Sequence, residues 1–137
     1  MEFKKYLSYV LLVFAVCIGL ISCSDNDKDE PNAGISQLIV GEWDSEFLGS
    51  MSYDEVEKLD LSDKTISTHY MYFAFKSNGK GYDIYYNGDR SEWDWEIIDD
   101  VLYTSDGDMY EIVKFNKDVI YILRHNHYEA GIKLVRR

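Results

Sequence analysis

Residues 67–98 read STHYMYFAFKSNGKGYDIYYNGDRSEWDWEII, and their pattern decides the fold class. Ser67 to Lys76 carries Tyr70, Met71, Tyr72, Phe73 and Phe75, a run rich in aromatic residues that suit a pleated surface. Asn78-Gly79 marks a hairpin, because a type I′ turn needs positive φ at both central residues. Tyr82 to Tyr86 follows and ends at Asn87-Gly88-Asp89. From Glu92 the alternation is strict: Trp93, Trp95 and Ile97 lie on one face, Glu92, Asp94 and Glu96 on the other. Three short strands joined by tight turns leave no room for parallel crossovers.

The same pattern extends both ways. Upstream, Gly41 to Phe47 places Gly41, Trp43, Ser45 and Phe47 opposite Glu42, Asp44 and Glu46. Downstream, Asp99-Asp100 turns the chain into Val101 to Thr104, and Asp106-Gly107 turns it into Met109 to Phe115. Asn116-Lys117-Asp118 leads to Val119 to Arg124, and Glu129-Ala130-Gly131 to Ile132 to Val135. Ser52-Tyr53-Asp54-Glu55 has the spacing of a capping box and predicts one short helix between the first two strands. Eight up-and-down strands either close on themselves or leave two bare edges. Val119 to Leu123 is apolar on both faces, so the expected fold is all-β, an eight-stranded antiparallel up-and-down barrel.

The chain has 137 residues, 46% apolar and 28% charged, with a formal charge of −11. That length suits one domain. So acidic a balance argues against nucleic acid, whose phosphates require Lys and Arg. Residues 1–22 stand apart from the fold. Lys4 and Lys5 precede an apolar run from Tyr6 to Leu20, shorter than the roughly 20 apolar residues a spanning helix needs. Leu20-Ile21-Ser22-Cys23 resembles the lipobox of bacterial lipoproteins. The resemblance implies a signal peptide over 1–22 and a lipidated, palmitate-type acylated Cys23 as the mature N-terminus. Acyl chains contribute about 0.8 kcal/mol per buried methylene, so several give a stable membrane anchor. Cys17 leaves with the signal, and the mature chain then has one cysteine and no internal disulfide.

Residues 23–35 include the acidic run Ser24-Asp25-Asn26-Asp27-Lys28-Asp29-Glu30 and the only proline, Pro31. Nothing in that run can build a core, and it reads as a flexible tether. Its acidity after the cysteine also resembles the surface-export signal of Bacteroidetes-type lipoproteins. That implies an outer-membrane, cell-surface location, with a periplasm-facing anchor as the alternative.

Leu38-Ile39-Val40-Gly41-Glu42-Trp43 contains the Gly-x-Trp of lipocalins and the wider calycin superfamily. With the Phe75-to-Gly79 hairpin, Trp95-x-Ile97 and Leu102, residues 36–137 resemble the lipocalin-like domains of small Bacteroidetes-type lipoproteins. The resemblance implies that a basic residue near the last strand packs over Trp43 and closes the barrel base beside Gly41. Arg136 or Arg137 fits that role, and Arg124 fits it less well. It also implies a small hydrophobic ligand at the open end. The candidate lining residues are Trp93, Trp95, Tyr82, Tyr70, Tyr72 and Tyr121, whose ordinary alternative is to fill the core. Tyr85 and Tyr86 alternate along one strand, so only one of them points inward.

No catalytic motif is evident. Gly-x-Ser-x-Gly, nucleotide-binding glycine loops and Cys/His nucleophile pairs are absent from the sequence. His125 and His127 share a strand face but lack a third ligand by spacing. Asn87-Gly88-Asp89 and Asp106-Gly107-Asp108 are too short for a calcium loop and suit hairpin turns. The expected function is therefore non-enzymatic, without cofactor or metal: a membrane-anchored lipoprotein binding a small hydrophobic ligand. The alternative is a surface module that contacts a protein or glycan through the outside of the barrel.

Overall fold

The structure, a computed structural model, describes residues 31–125 and 129–137. The expected signal peptide, Cys23 and most of the tether lie outside the described residues, as does His127. The eight strands are β1 (Gly41–Ser50), β2 (Met71–Phe75), β3 (Lys80–Tyr85), β4 (Arg90–Ile98), β5 (Val101–Thr104), β6 (Met109–Phe115), β7 (Val119–Arg124) and β8 (Ala130–Arg136). They form a closed antiparallel barrel in sequence order. Helix α1 (Pro31–Leu38) precedes β1, and α2 (Tyr53–Glu57) follows it.

Closure is made by β1, which pairs with β2 on one side and β8 on the other. Trp43 lies opposite Phe73 in the first pairing and opposite Arg136 in the second. Bulges between Phe47 and Gly49 and between Ile112 and Lys114 bend the sheet toward closure. The alternation sends Trp43, Phe73, Phe75, Trp93, Trp95, Leu102, Ile112, Ile120, Ile122, Ile132 and Leu134 into one buried interior cluster.

Val119, Tyr121 and Leu123 face outward, yet they are buried, because α2 and the connector after it cover them. This second core explains why β7 is apolar on both faces. Ser52 caps α2 through its hydroxyl, and the Glu55 side chain accepts from the Ser52 N–H at 2.9 Å, which completes the capping box. Val56, the inward residue of α2, is fully buried.

Three hairpin turns share one construction. Gly79, Gly88 and Gly107 adopt φ of 83°, 95° and 104°, each donating its N–H to a carbonyl three residues back. That is a turn completed by a left-handed glycine, which corrects the type I′ assignment of Asn78-Gly79, since Asn78 has no positive φ. The two-residue turn with both φ positive is instead Asp99-Asp100, at 51° and 65°. Asp tolerates this region better than most residues because its short side chain bonds locally.

Two further differences concern strand onsets. Pro31–Leu38 is helical, where an unstructured tether to residue 35 was expected. Proline suits a first helical turn, whose N–H groups have no partner in any case. Ile35 and Ile39 recur at helical spacing and are fully buried, so the folded unit reaches back past residue 36. The segment Ser67–Tyr70, expected in the second strand, lies before it. It still runs beside β1, with the Tyr70 N–H donating to Ser45 O at 2.8 Å.

Ser45 explains where the β1–β2 ladder stops. Its hydroxyl donates to Met71 O at 2.7 Å and accepts from Met71 N at 3.0 Å, replacing a backbone pair with a side chain. Ser45 is fully buried, so its removal orphans both groups of Met71. Ser45→Ala should therefore cost about 1–3 kcal/mol of unfolding free energy, measured by urea denaturation.

Candidate functional site

Strand direction gives the barrel two unlike ends. At the base lie α1, the turns at 76–79, 99–100 and 116–118, and the end of β8. Trp43 is fully buried there and donates its Nε1–H to Ile39 O at 2.8 Å. The Arg136 guanidinium lies 4.3 Å from the Trp43 ring centroid. It also donates to Leu38 O, to Val40 O at 3.2 Å and to Lys117 O at 2.8 Å. A cation beside these carbonyls at the C-terminal end of α1 is electrostatically favourable.

Gly41 has φ of 140°, and a Cβ there would fall 2.6 Å from Arg136 Nη1, so this position requires glycine. The structure thus brings Gly41, Trp43 and Arg136 together at the base. Arg137 lies on the outer face instead, over Tyr72 at 4.6 Å and 3.3 Å from Asp44 Oδ1. Arg124 is at the far end, 5.7 Å from the Phe47 centroid.

The six aromatic ligand candidates separate into three groups. Trp93 and Trp95 fill the interior, packing on Phe75 at 5.4 and 5.5 Å. Trp93 donates to Asp83 Oδ2 at 2.8 Å, and Trp95 donates to Lys80 O at 2.9 Å. The Trp93 ring occupies the space above Gly81, where a Cβ would come within 2.5 Å of it.

Tyr72 and Tyr82 stand together on the outside, 6.0 Å apart, with Arg90 3.7 Å over Tyr82. Tyr121 is outside too, buried under the connector, with its hydroxyl donating to Asp60 O at 2.9 Å. Only Tyr70 reaches the open end. The six do not form one site, because inward and outward positions alternate along each strand and one register assigns every face.

The open end has its own aromatic row. Phe47 and Tyr70 are 5.3 Å apart, Tyr70 and Tyr85 6.2 Å, and Tyr85 and Tyr86 6.4 Å. Phe47 is the last inward aromatic of β1, Tyr85 ends β3, and Tyr86 begins the following turn. A recess of about 340 Å³, open to solvent on one side, is lined by Phe47, Thr68, His69, Tyr70 and Tyr86. Thr68 and His69 were expected in the second strand but lie in the connector before it, which brings them to the rim; Phe47 was legible as inward, but its height in the barrel was not.

Behind the row, Tyr70 bonds to Arg124, and burial pushes its hydroxyl above the usual range. Burial raises Tyr110 as well, and its hydroxyl donates to Asp108 Oδ2 at 3.2 Å. These phenols therefore stay protonated near neutral pH. Outside the rim, His125 Nε2 lies 3.0 Å from Glu111 Oε1 and Nδ1 3.8 Å from Glu129 Oε2, so both ring nitrogens face carboxylates. Among the described residues no group of three or more His, Cys, Asp or Glu is arranged to hold a metal ion. Asn87-Gly88-Asp89 and Asp106-Gly107-Asp108 form hairpin turns.

Asp83 is a carboxyl turned toward Trp93 in the interior, 6% exposed. Burial raises its pKa, the Trp93 hydrogen bond opposes that rise, and Asp106 and Asp108 add to it. A carboxyl raised on folding binds protons more tightly in the folded state. Its cost is absent below the unfolded value near 3.8 and grows as pH rises through the folded value. Asp83→Asn keeps an oxygen for Trp93 and removes the charge. It should raise stability at pH 7, with the gain vanishing below about pH 3.8, as followed by thermal unfolding across pH. No family model matches this chain, and no curated protein matches it either, so its own geometry is the guide to function.

Proposed function

We propose that this chain is a lipid-anchored lipoprotein whose barrel binds a small ligand at its open rim. The observation that carries the reading is the contrast between the two ends. The base is occupied by α1, Trp43 and Arg136, whereas the rim presents a row of aromatic rings around a recess of about 340 Å³. That volume lies at the lower end of the roughly 300–1,000 Å³ of small-molecule sites. Because Trp93, Trp95, Phe73 and Phe75 fill the interior, the ligand sits at the mouth rather than deep in the barrel.

The role in this reading is binding rather than catalysis. The anchor is Cys23 of the lipobox, followed by the acidic run to Glu30, which leads to the folded unit beginning at Pro31. The location this supports is the outer membrane with the barrel on the cell surface, and a periplasm-facing barrel is the alternative. Removing residues 1–22 takes away Lys4, Lys5 and Glu2, leaving 12 basic and 24 acidic side chains and a formal charge of −12.

Native mass spectrometry of the full chain, extracted from the membranes of a bacterial host in detergent, tests both halves. The expected spectrum starts at an acylated Cys23 and carries a non-covalent adduct that Phe47→Ala removes. A chain that retains residues 1–22, or one without adduct in any host extract, would contradict the proposal.

A further inference from the structure

We propose that the rim recess stacks the flat face of a neutral sugar ring, so that the ligand is one end of a glycan. This inference rests on the reading of the rim as the ligand site and names the ligand class. The first observation is the recess's shape. Apolar ligands normally have about 70–90% of their surface buried in a pocket. This recess is open on one side, and one of its walls is Tyr86, itself 79% exposed. It covers one face of a ligand and leaves the other in water. A sugar ring with equatorial hydroxyls suits that arrangement, because its C–H face is apolar and its hydroxyl edge prefers solvent.

The second observation is the lining's chemistry. Phe47, Tyr70 and Tyr86 supply ring faces, while Thr68 and His69 supply polar atoms at the edge. Aromatic rings with a polar tip bind amphipathic surfaces of this kind. None of the five lining residues is a carboxylate, an ammonium or a guanidinium. Arg124 is turned to Phe47 and Tyr70, and Asp44 lies 3.8 Å from His69 Nδ1. None of the lining side chains offers a charged ligand a permanent counter-charge, and the formal charge of −11 disfavours an anion further.

The third observation is the placement of the row. Tyr86 is the most exposed large apolar side chain among the described residues, and Tyr85, 40% exposed, packs edge-on against it. Tyr86 follows β3 in a hairpin turn, so neither the barrel interior nor the base accounts for it.

Saturation-transfer NMR on the full chain in detergent, with cellotetraose, xylotetraose and maltotetraose at millimolar concentration, tests the inference. Transfer from the protein to ring C–H protons of at least one of the three is expected. Tyr86→Ala should weaken it by about tenfold, whereas Tyr53→Ala, an exposed tyrosine on α2, should leave it unchanged. Transfer that survives Tyr86→Ala would overturn the inference, and so would no transfer from any of the three. A parallel titration with 1-naphthol, a flat apolar probe, separates the two readings. If naphthol alone binds and Tyr86→Ala weakens it, the rim remains the ligand site and the sugar assignment fails. If neither sugar nor naphthol binds, both fail.

Discussion

Arg136 over Trp43 is the contact on which the barrel depends. The two residues face each other across the β1–β8 pairing, where the first strand meets the last. Their contact fixes the register of closure, and with it the face of every other side chain on both strands. The same guanidinium reaches Leu38 O and Val40 O, which ties α1 to the seam. Trp43 reaches Ile39 O from the other side. A cation over an aromatic ring is worth about 0.5–1 kcal/mol where exposed and about 2 kcal/mol where desolvated, and Arg136, half-buried, lies between these. Its hydrogen bonds to backbone carbonyls satisfy the donors that burial would otherwise strand. Gly41 leaves the space for this arrangement, since a Cβ would collide with the arginine.

With the base closed by α1, Trp43 and Arg136, the outer wall is secured separately. The connector from Glu57 to Thr65 is held to β6, β7 and β8 through its own carbonyls. Lys114 reaches Glu57 O and Leu59 O, Asn116 reaches Leu61 O, Tyr121 reaches Asp60 O and Lys133 reaches Thr65 O. Lys133 has only 5% of its side chain exposed, and Asp63 Oδ2 lies 3.4 Å away. Hydrogen bonds from Thr65, and then Lys133, hold the Asp63 carboxyl at about 2. The connector thus supplies acceptors to the buried Tyr121 and Lys133 as well as apolar cover for Val119, Tyr121 and Leu123. One long crossing from β1 to β2 thereby becomes part of the second core, and Thr68, His69 and Tyr70 at its end are delivered to the rim.

The strands, their order, the short helix and the arginine-bearing end of β8 were all legible in the sequence. Period-two alternation and turn residues are local signals, and short antiparallel connections leave few topologies. The candidate site was much less legible. Trp93 and Tyr82 look alike in the alternation, yet one is inside and the other outside, because facing depends on register across strands rather than on aromatic content. Tyr121 looked like a lining residue because β7 is apolar on both faces, and the reason for that lies in α2, more than 60 residues earlier. Helix α1 was hidden for a related reason: Ile35, Leu38 and Ile39 span little more than one turn, too short for periodicity to separate a helix from a strand's beginning.

Arg136 and Trp43 act as one unit in closing the barrel. A double-mutant cycle with Trp43→Leu, Arg136→Met and the pair, read by urea unfolding, measures that directly. A coupling free energy of at least about 1 kcal/mol between the two positions is expected. Additive effects within about 0.3–0.5 kcal/mol would contradict it.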